Sequence, residues 1–437
     1  MEPIATCPSR LLEGKAFQLG LTDRQTLHEF AMSEKLTTRV ISSVSEVEEI
    51  RDIWSGWRQH PNSDMEFYLN TLRARPDFLR PHVILVNRGG CPEAMLVGRL
   101  ELRRVEANLG YAKLLNKKRR TLTFLYGGLL GTLSPEGSKA LVRDVMNSLS
   151  QGEADLAYFN NLKADSLLYG AAIKLPGRLS RDYYPSLQLH RSMTVPGSME
   201  EFYRRLSAKV QKNLKWQAKK LIQEYSGNVS VRCFREAGDL ERMIQDVEGI
   251  ASKTYQRGLG VGFVDNPEMR RRLSLEAEKN WLRGYVLYAQ NVPVAFWIGT
   301  LYLGTLHSEY MGYDPSLGKY SPGMFLIVKV IEEFCNHNGK RDQLSKIDFG
   351  PGDAQYKEVL GDLEWNDASL YIFSPRLRGV SLNLMRVPFA MLERAARRAL
   401  EQTGLLNRVK KLWRLKSNEK RAPGASLNSG TQVRRRN

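Results

Sequence analysis

Residues 305–361 read TLHSEYMGYDPSLGKYSPGMFLIVKVIEEFCNHNGKRDQLSKIDFGPGDAQYKEVLG, and this stretch decides the fold. Leu306, Ser308 and Tyr310 alternate with His307, Glu309 and Met311, which predicts a strand with the second set on one face. Asp314-Pro315 ends it. Ser321 is a good N-cap residue and Pro322 suits the first helical position. The apolar run that follows predicts a long helix, stopped at Gly339. Residues 346–349 predict a strand that enters a Gly-Pro-Gly turn at 350–352, and Asp353 is placed to cap a short helix over 354–360. Such a unit sets a helix N-terminus, with free N–H groups and a positive dipole end, beside a strand. That place suits an anion such as a pyrophosphate.

Outward from this stretch the chain repeats an architecture. Before it come a helix over 239–255, a helix over 267–280, and a hairpin of 285–290 with 294–302. Residues 36–60 predict a strand and then a helix, with Val47, Ile50, Ile53, Trp54 and Trp57 at helical spacing and Ser45 with Glu48 as a capping box. A helix over 63–75 and a hairpin of 82–87 with 93–102 follow. A strand over 121–126, broken at Gly127-Gly128, leads to a helix over 137–150, a strand over 156–160 and a short helix over 164–172. Both halves run helix, helix, hairpin, strand, helix, strand. Two similar α/β domains, 36–195 and 196–375, are therefore expected, divided near Pro196.

Between them, 199–225 reads as one helix with Phe202, Leu206, Val210 and Leu214 every four residues. Arg205, Lys209, Lys212 and Lys219 form a neighbouring basic stripe. The stripe is either a solvated face or a basic lip for an anionic acceptor or cofactor.

The 437 residues hold no apolar run long enough to cross a membrane, and the first 35 lack a signal-peptide pattern. Residues 1–35 read as a leader, and a cytoplasmic location follows. The four cysteines and six histidines show no metal-ligand spacing, so no metal is expected. Residues 376–437 carry sixteen Lys and Arg against three Glu, which leaves only +5 of the net +18 to residues 1–375. The basicity is a property of the tail. Residues 381–416 look helical, with Leu405, Leu406, Val409, Leu412 and Trp413 on one face. The tail is either a solvated extension with its helical part packed on the body, or a basic element drawn to nucleic acid or into peripheral contact with an anionic surface at the inner face of the membrane.

The pair of motifs Tyr320-Ser321-Pro322-Gly323 and Asp348-Phe349-Gly350-x-Gly352-x-x-x-Tyr356-Lys357 resembles the Gcn5-related N-acetyltransferase superfamily. Within it the chain resembles the branch named for cellulose-biosynthesis proteins (BcsL/CelD-like, also labelled BioF2-like). That branch is similar to the FemAB/FemX peptidyltransferases, which carry two tandem domains of this fold. The motifs cover about 285–362, and Ser207-x-Lys209-x-x-Lys212-Asn213-Leu214 looks like a further segment of the family. The resemblance implies two tandem acetyltransferase-like domains, each a mixed, mostly antiparallel sheet flanked by helices, plus the basic helical tail. It implies acetyl-CoA or another acyl-CoA as donor and an amine or hydroxyl of a small-molecule or saccharide acceptor. The cofactor pyrophosphate would lie near Lys319, Tyr320, Ser321 and Gly323. There the sequence departs from the superfamily's loop, and Pro322 has no N–H to give.

Acyl transfer needs a deprotonated acceptor and a stabilised oxyanion. Glu309 stands where many superfamily members keep a general base, with His307 beside it on the same face. Asp348 ends the next strand, where ligands of open α/β sheets gather, and is also placed to cap the glycine turn. Tyr356 is a candidate to protonate the leaving thiolate, and Lys357 to grip phosphate or acceptor. Lys209 and Lys212 would line the acceptor cleft between the domains. Two other readings stand beside this one: a FemX-like transferase using aminoacyl-tRNA, which is the sole nucleic acid expected, and a non-catalytic accessory protein of polysaccharide synthesis docked by the tail.

Overall fold

The computed structural model describes residues 35–109, 112–254, 256–257, 262–336 and 344–402. The leader, and the tail beyond 402 with its Leu405–Trp413 face, lie outside these residues.

Strand β1 (Leu36–Ile41) leads into helices α1 (Val44–Glu49) and α2 (Arg51–Gly56). The capping box is formed by Ser43 and Glu46, two residues before the expected pair, because the chain leaves the strand at Ser42. Helix α3 (Met65–Ala74) starts where the Asp64 carboxylate accepts from Phe67 N at 3.2 Å. Strands β2 (Phe78–Pro81), β3 (Val83–Arg88), β4 (Cys91–Leu109) and β5 (Ala112–Gly131) follow. Strand β5 does not break at Gly127-Gly128. The strand continues, but its pairing with β4 jumps from Phe124 to Leu129 across these glycines, with Gly127 at φ 71°, a value glycine adopts without strain. Then come α4 (Pro135–Gln151), β6 (Leu156–Lys163), α5 (Leu167–Lys174) and β7 (Ser186–Thr194).

The expected single helix over 199–225 is two, α6 (Met199–Arg204) and α7 (Ala208–Glu224), because Ser207 takes extended backbone and caps the second. Strand β8 (Val229–Phe234), helices α8 (Leu240–Ala251) and α9 (Pro267–Glu278), and strands β9 (Leu282–Ala289), β10 (Val292–Tyr302) and β11 (Thr305–Tyr313) complete the approach to the motif. After it stand α10 (Pro322–Asn336), β12 (Lys346–Pro351), α11 (Gln355–Leu360), β13 (Leu363–Phe373) and α12 (Leu377–Gln402). Ala354, not Asp353, stands at the start of α11, and no side chain caps it.

Among the described residues thirteen strands form one mixed sheet in the order β1-β3-β4-β5-β6-β13-β7-β12-β11-β10-β9-β8, with β2 on β4. The pairings are antiparallel except β5–β6 and β11–β12. Each half has helices on both faces. In the first, α4 packs Leu141, Val145 and Leu149 on one face, and Trp54 and Tyr68 cover the other. In the second, α10 packs Leu326, Val330 and Phe334 on one face, and α8 packs Met243, Ile244 and Val247 on the other.

The two halves exchange strands at the centre. Strand β7 follows the first half in sequence but pairs with β12, and its Met193 joins the core under α10. Strand β13 follows the second half but pairs with β6, and its Leu370 and Ile372 join the core under α4. Burying two such side chains contributes roughly 3–6 kcal/mol. The expected division near Pro196 thus falls between β7 and α6 in sequence, while the sheet runs through it in space.

Candidate active site

Parallel strands β11 and β12 pair at Thr305–Lys346, Leu306–Ile347 and His307–Asp348, and then part. Beyond this point β11 bulges, with Ile298 opposite Tyr310 and Gly299 opposite Ser308, so Glu309 is the extra residue. Beyond Asp348, Gly350 stands at φ 73° and its N–H donates to Asp348 Oδ1 at 2.8 Å. The glycine turn therefore aims the carboxylate, as the capping reading expected.

The exchanged strands bring the partners. His190 of β7 is fully buried, stacked on Trp365 of β13 at 4.2 Å between ring centroids. Its Nε2 lies 2.5 Å from Asp348 Oδ1 and its Nδ1 lies 2.6 Å from Asp367 Oδ2. Trp365 Nε1 donates to Asp367 Oδ1 at 2.9 Å. With a carboxylate on each nitrogen, both ring N–H groups are donors. Burial alone lowers the His190 pKa, but Asp348 and Asp367 together hold it above its ordinary value. Burial likewise pushes Asp348 up, yet His190 and then His307 hold it well below the usual carboxylate range. Asp348 is thus a charged carboxylate facing a charged imidazolium.

The other oxygen of Asp348, Oδ2, faces His307 Nδ1 at 3.6 Å, just beyond direct hydrogen-bond reach. Tyr126 of β5 lies near Asp348, and burial followed by the nearby carboxylates raises its pKa. His60, on the loop before α3, packs at 4.5 Å from both the His307 and the Tyr126 rings. It enters because Gly127 has no side chain, since a Cβ there would lie 2.4 Å from His60 Cγ. His60 Nδ1 accepts from Asn62 N at 3.1 Å, so Nε2 carries the proton. Burial, then the positive neighbours, keep this ring neutral. Among the described residues His60 Nε2 and His307 Nε2 are buried with no protein partner. Such orphaned atoms are uncommon in a folded interior and point to a ligand or water.

A cavity of roughly 420 Å³ opens beside this cluster, between α3, β5 and β6 on one side and α9 and β11 on the other. Asn62, Tyr126, Asn160, Asn266, Arg272 and Tyr310 are among its lining residues, and the Tyr126 ring also packs on His60 of the cluster. The cavity is about half polar, and three of its four arginines meet carboxylates, while Arg271 donates to Ala74 O at 3.1 Å. Arg272 meets Glu309 at 2.9 Å and Glu276 at 2.8 Å, Arg75 meets Glu268 at 3.1 Å, and Arg99 meets Glu101 at 2.6 Å.

The candidates from sequence divide accordingly. Asp348 and His307 come together at the centre. Glu309 was expected to point with His307, but the bulge breaks the alternation, and its carboxylate pairs with Arg272. Lys357 is buried, and its ammonium donates to Gly350 O and Pro351 O at 3.0 Å each. Burial pushes its pKa down to about 8. The Tyr356 ring packs edge-on against Phe349 at 5.7 Å, on the side of the core under α10. Ser321 stands at φ 49°, not the extended backbone of an ordinary N-cap, and its hydroxyl accepts from Gln217 Nε2 of α7 at 2.9 Å. Lys319 is exposed and lies over the buried Tyr320 ring at 4.6 Å, while Gly323 faces Tyr313. A groove of roughly 190 Å³ runs between α7 and α10 past Ser321. Lys209 and Lys212 are exposed on α7 and do not line the larger cavity. His60, Tyr126, His190, Trp365 and Asp367 are absent from the sequence reading. The one local signal for His190 is that Leu187 and Leu189 alternate with His190 and Ser192, the period of a strand.

Residues 208–358 match the acetyltransferase (GNAT) domain family. No curated protein matches the chain. Among solved structures, FemX shares 9 % identity, covering 77 % of this chain and 97 % of its own, at a TM-score of 0.48. The L-PGS of Bacillus licheniformis shares 12 %, covering 82 % and 99 %, at 0.43. A tandem GNAT protein from the clavulanic acid biosynthesis pathway shares 9 %, covering 78 % and 99 %, at 0.43. The stretch that builds α7 through α11, with His307 and Asp348 inside it, is the part of the chain that matches the acetyltransferase (GNAT) domain family.

Proposed function

We propose that this protein is an acyl-CoA-dependent N- or O-acyltransferase of the cellulose-biosynthesis branch, acting on a polar acceptor such as an amino sugar or a polysaccharide-related metabolite. The observation that carries the reading is His307: a buried imidazole whose Nδ1 faces an ionised carboxylate and whose Nε2 has no partner, inside a GNAT-type domain and beside a polar cavity. A carboxylate at Nδ1 selects the tautomer with Nδ1–H and leaves the Nε2 lone pair for a proton.

In the reaction the acceptor nitrogen or oxygen forms a bond to the acyl carbon and the carbon–sulfur bond breaks. His307 Nε2 takes the acceptor's proton and returns it to the departing thiolate. Asp348 stabilises the imidazolium that forms, and His190 with Asp367 keeps Asp348 charged and aimed. The His60 Nε2–H is a neutral donor for the acceptor or the oxyanion. Because three of the cavity's four arginines are matched by carboxylates, a near-neutral acceptor suits it better than a polyanion.

Titration of the full chain with acetyl-CoA and longer acyl-CoAs tests the donor. A ligand at about 100 times its Kd raises stability by ~2.7 kcal/mol. Thiol release with a panel of amino sugars and glycosides then tests transfer. No stabilisation by any acyl-CoA at millimolar concentration, with no thiol release, overturns the reading. One observation favours the FemX-like alternative: Lys209, Lys212 and Lys219 all stand exposed on α7. Under it, the chain binds tRNA with an affinity that falls steeply with salt, and acyl-CoA has no effect.

A further inference from the structure

Helix α12 is seated in an inverted sense. Three of its polar side chains, Asn383, Arg386 and Arg394, contact the protein. Asn383 Nδ2 donates to Leu179 O at 2.9 Å and to Arg181 O at 3.0 Å. Arg386 pairs with buried Asp182 at 2.6 Å and lies over the Tyr371 ring. Arg394 donates to Pro185 O at 3.2 Å and covers Tyr184. Among the described leucines of the helix Leu382 alone is buried, against Leu156 and Phe373.

The opposite face is apolar and in solvent. Leu377 is 89 % exposed, Leu384 61 %, Met391 53 %, Leu392 51 % and Met385 40 %. Their spacing of seven and eight residues puts them in one stripe along the helix. Leu179 and Tyr183, in the loop on which the helix sits, are exposed as well. Amphipathic surface helices turn their apolar stripe inward, and a contiguous exposed stripe marks an interaction surface.

Charge selects the occupant. The segment 376–437 that carries the stripe holds sixteen Lys and Arg against three Glu. A second copy docked through this face would bring the same positive charge against it. Nucleic acid would satisfy the charge but has no use for a row of Leu and Met. An anionic bilayer surface takes both, with apolar side chains at the acyl boundary and cations among the headgroups. Among the described residues no helix is long and apolar enough to cross a membrane, so the mode would be lying on the surface.

We propose that α12 docks the protein on anionic lipid through Leu377, Leu384, Met385, Met391 and Leu392, with the basic segment as the electrostatic half of the contact. The test is flotation of the full chain with phosphatidylcholine vesicles, with and without phosphatidylglycerol. Binding is expected to the mixed vesicles and to weaken with salt. The double variant Leu384→Gln, Met391→Gln removes exposed side chains only and is expected to lower partitioning about 100-fold. Unchanged thermal unfolding shows that the variant is folded. Arg378→Glu is expected to lower binding to mixed vesicles alone. Equal binding by wild type and double variant overturns the proposal. So does a wild type that stays free at low salt, the result if residues 403–437 cover the stripe. A concentration-dependent dimer that the double variant abolishes, with no lipid binding, also overturns it.

Discussion

The two halves build the same parallel strand pair and load it differently. In the first half β5 and β6 pair last at Phe124–Phe159, whose rings stack at 4.7 Å in a dry core. In the second, β11 and β12 pair last at His307–Asp348. At one parting the gap is filled with phenyl rings. At the other it holds an imidazole and a charged carboxylate whose burial is offset by a second, charged imidazole. The backbone unit therefore does not dictate chemistry; the side chains at its last pair do. The first half still reaches the site, because it supplies His60 and Tyr126. Breaking the comparison at its charged end is expected to cost most. Asp348→Asn keeps the shape, but removes the charge that orients His307 and balances His190. Turnover is expected to fall about 10³-fold or more. Stability falls as well, by roughly 3 kcal/mol, because His190 loses one of its two buried partners. Turnover of acyl-CoA and urea unfolding measure the two losses separately.

His307→Gln comes next. It leaves Asp348 and His190 paired, so folding is expected to be nearly unchanged. Turnover is expected to fall about 10²-fold or more, with acyl-CoA binding retained, as for loss of a positioned base. Equal turnover in wild type and variant would move the base elsewhere, with Glu309 the first alternative. At the apolar end the pattern reverses. Phe124→Ala is expected to cost about 3 kcal/mol of stability, from lost transfer and a cavity beside Phe159, with turnover per folded molecule unchanged. A kinetic defect in folded Phe124→Ala would mean that the first half's strand pair shares in the chemistry.

What the sequence disclosed follows the same division. His307 and Asp348 lie in one strand–helix–strand stretch, where periodicity, a helix start and a glycine turn are all local signals. Glu309 was read in register with His307 because alternation cannot show a bulge; the extra residue is visible only against β10. His190 meets its two carboxylates across 158 and 177 residues. No periodicity records such a contact. Their strands also hide themselves. Inside β7 the buried positions include His190 and Ser192, and in β13 Asp367, so the alternation of apolar and polar that announces a strand is blurred where a polar cluster is enclosed. His60 sits in His-Pro-Asn-Ser, which signals a turn and nothing more. The features hardest to read are those that the strand exchange assembles.

The smallest effect sharpens the comparison through pH. Lys357 holds the turn after Asp348 through two carbonyls, and burial pushes its pKa down to about 8 from an ordinary 10.5. Below pH 8 the amine is protonated in folded and unfolded chains alike, and its burial is a constant cost. Above 10.5 it is neutral in both, and the cost has gone. Between the two the unfolded chain binds more protons, so this group makes stability rise with pH. The full shift corresponds to about 3 kcal/mol, and the two carbonyl acceptors, which favour the ammonium, offset part of it. A gain on the order of 2 kcal/mol is expected across the window. Buried tyrosines work the other way there. Burial raises Tyr68, Tyr288 and Tyr302, so their unfolded forms lose protons first and stability falls as pH rises through 10. The measurement must therefore be a difference: urea unfolding of wild type and Lys357→Met at pH 7.5 to 10.5. The stability of wild type relative to the variant is expected to climb with pH. A flat difference would mean that the carbonyls cancel the burial cost and that Lys357 stays an ammonium throughout, a fixed positive charge behind Asp348.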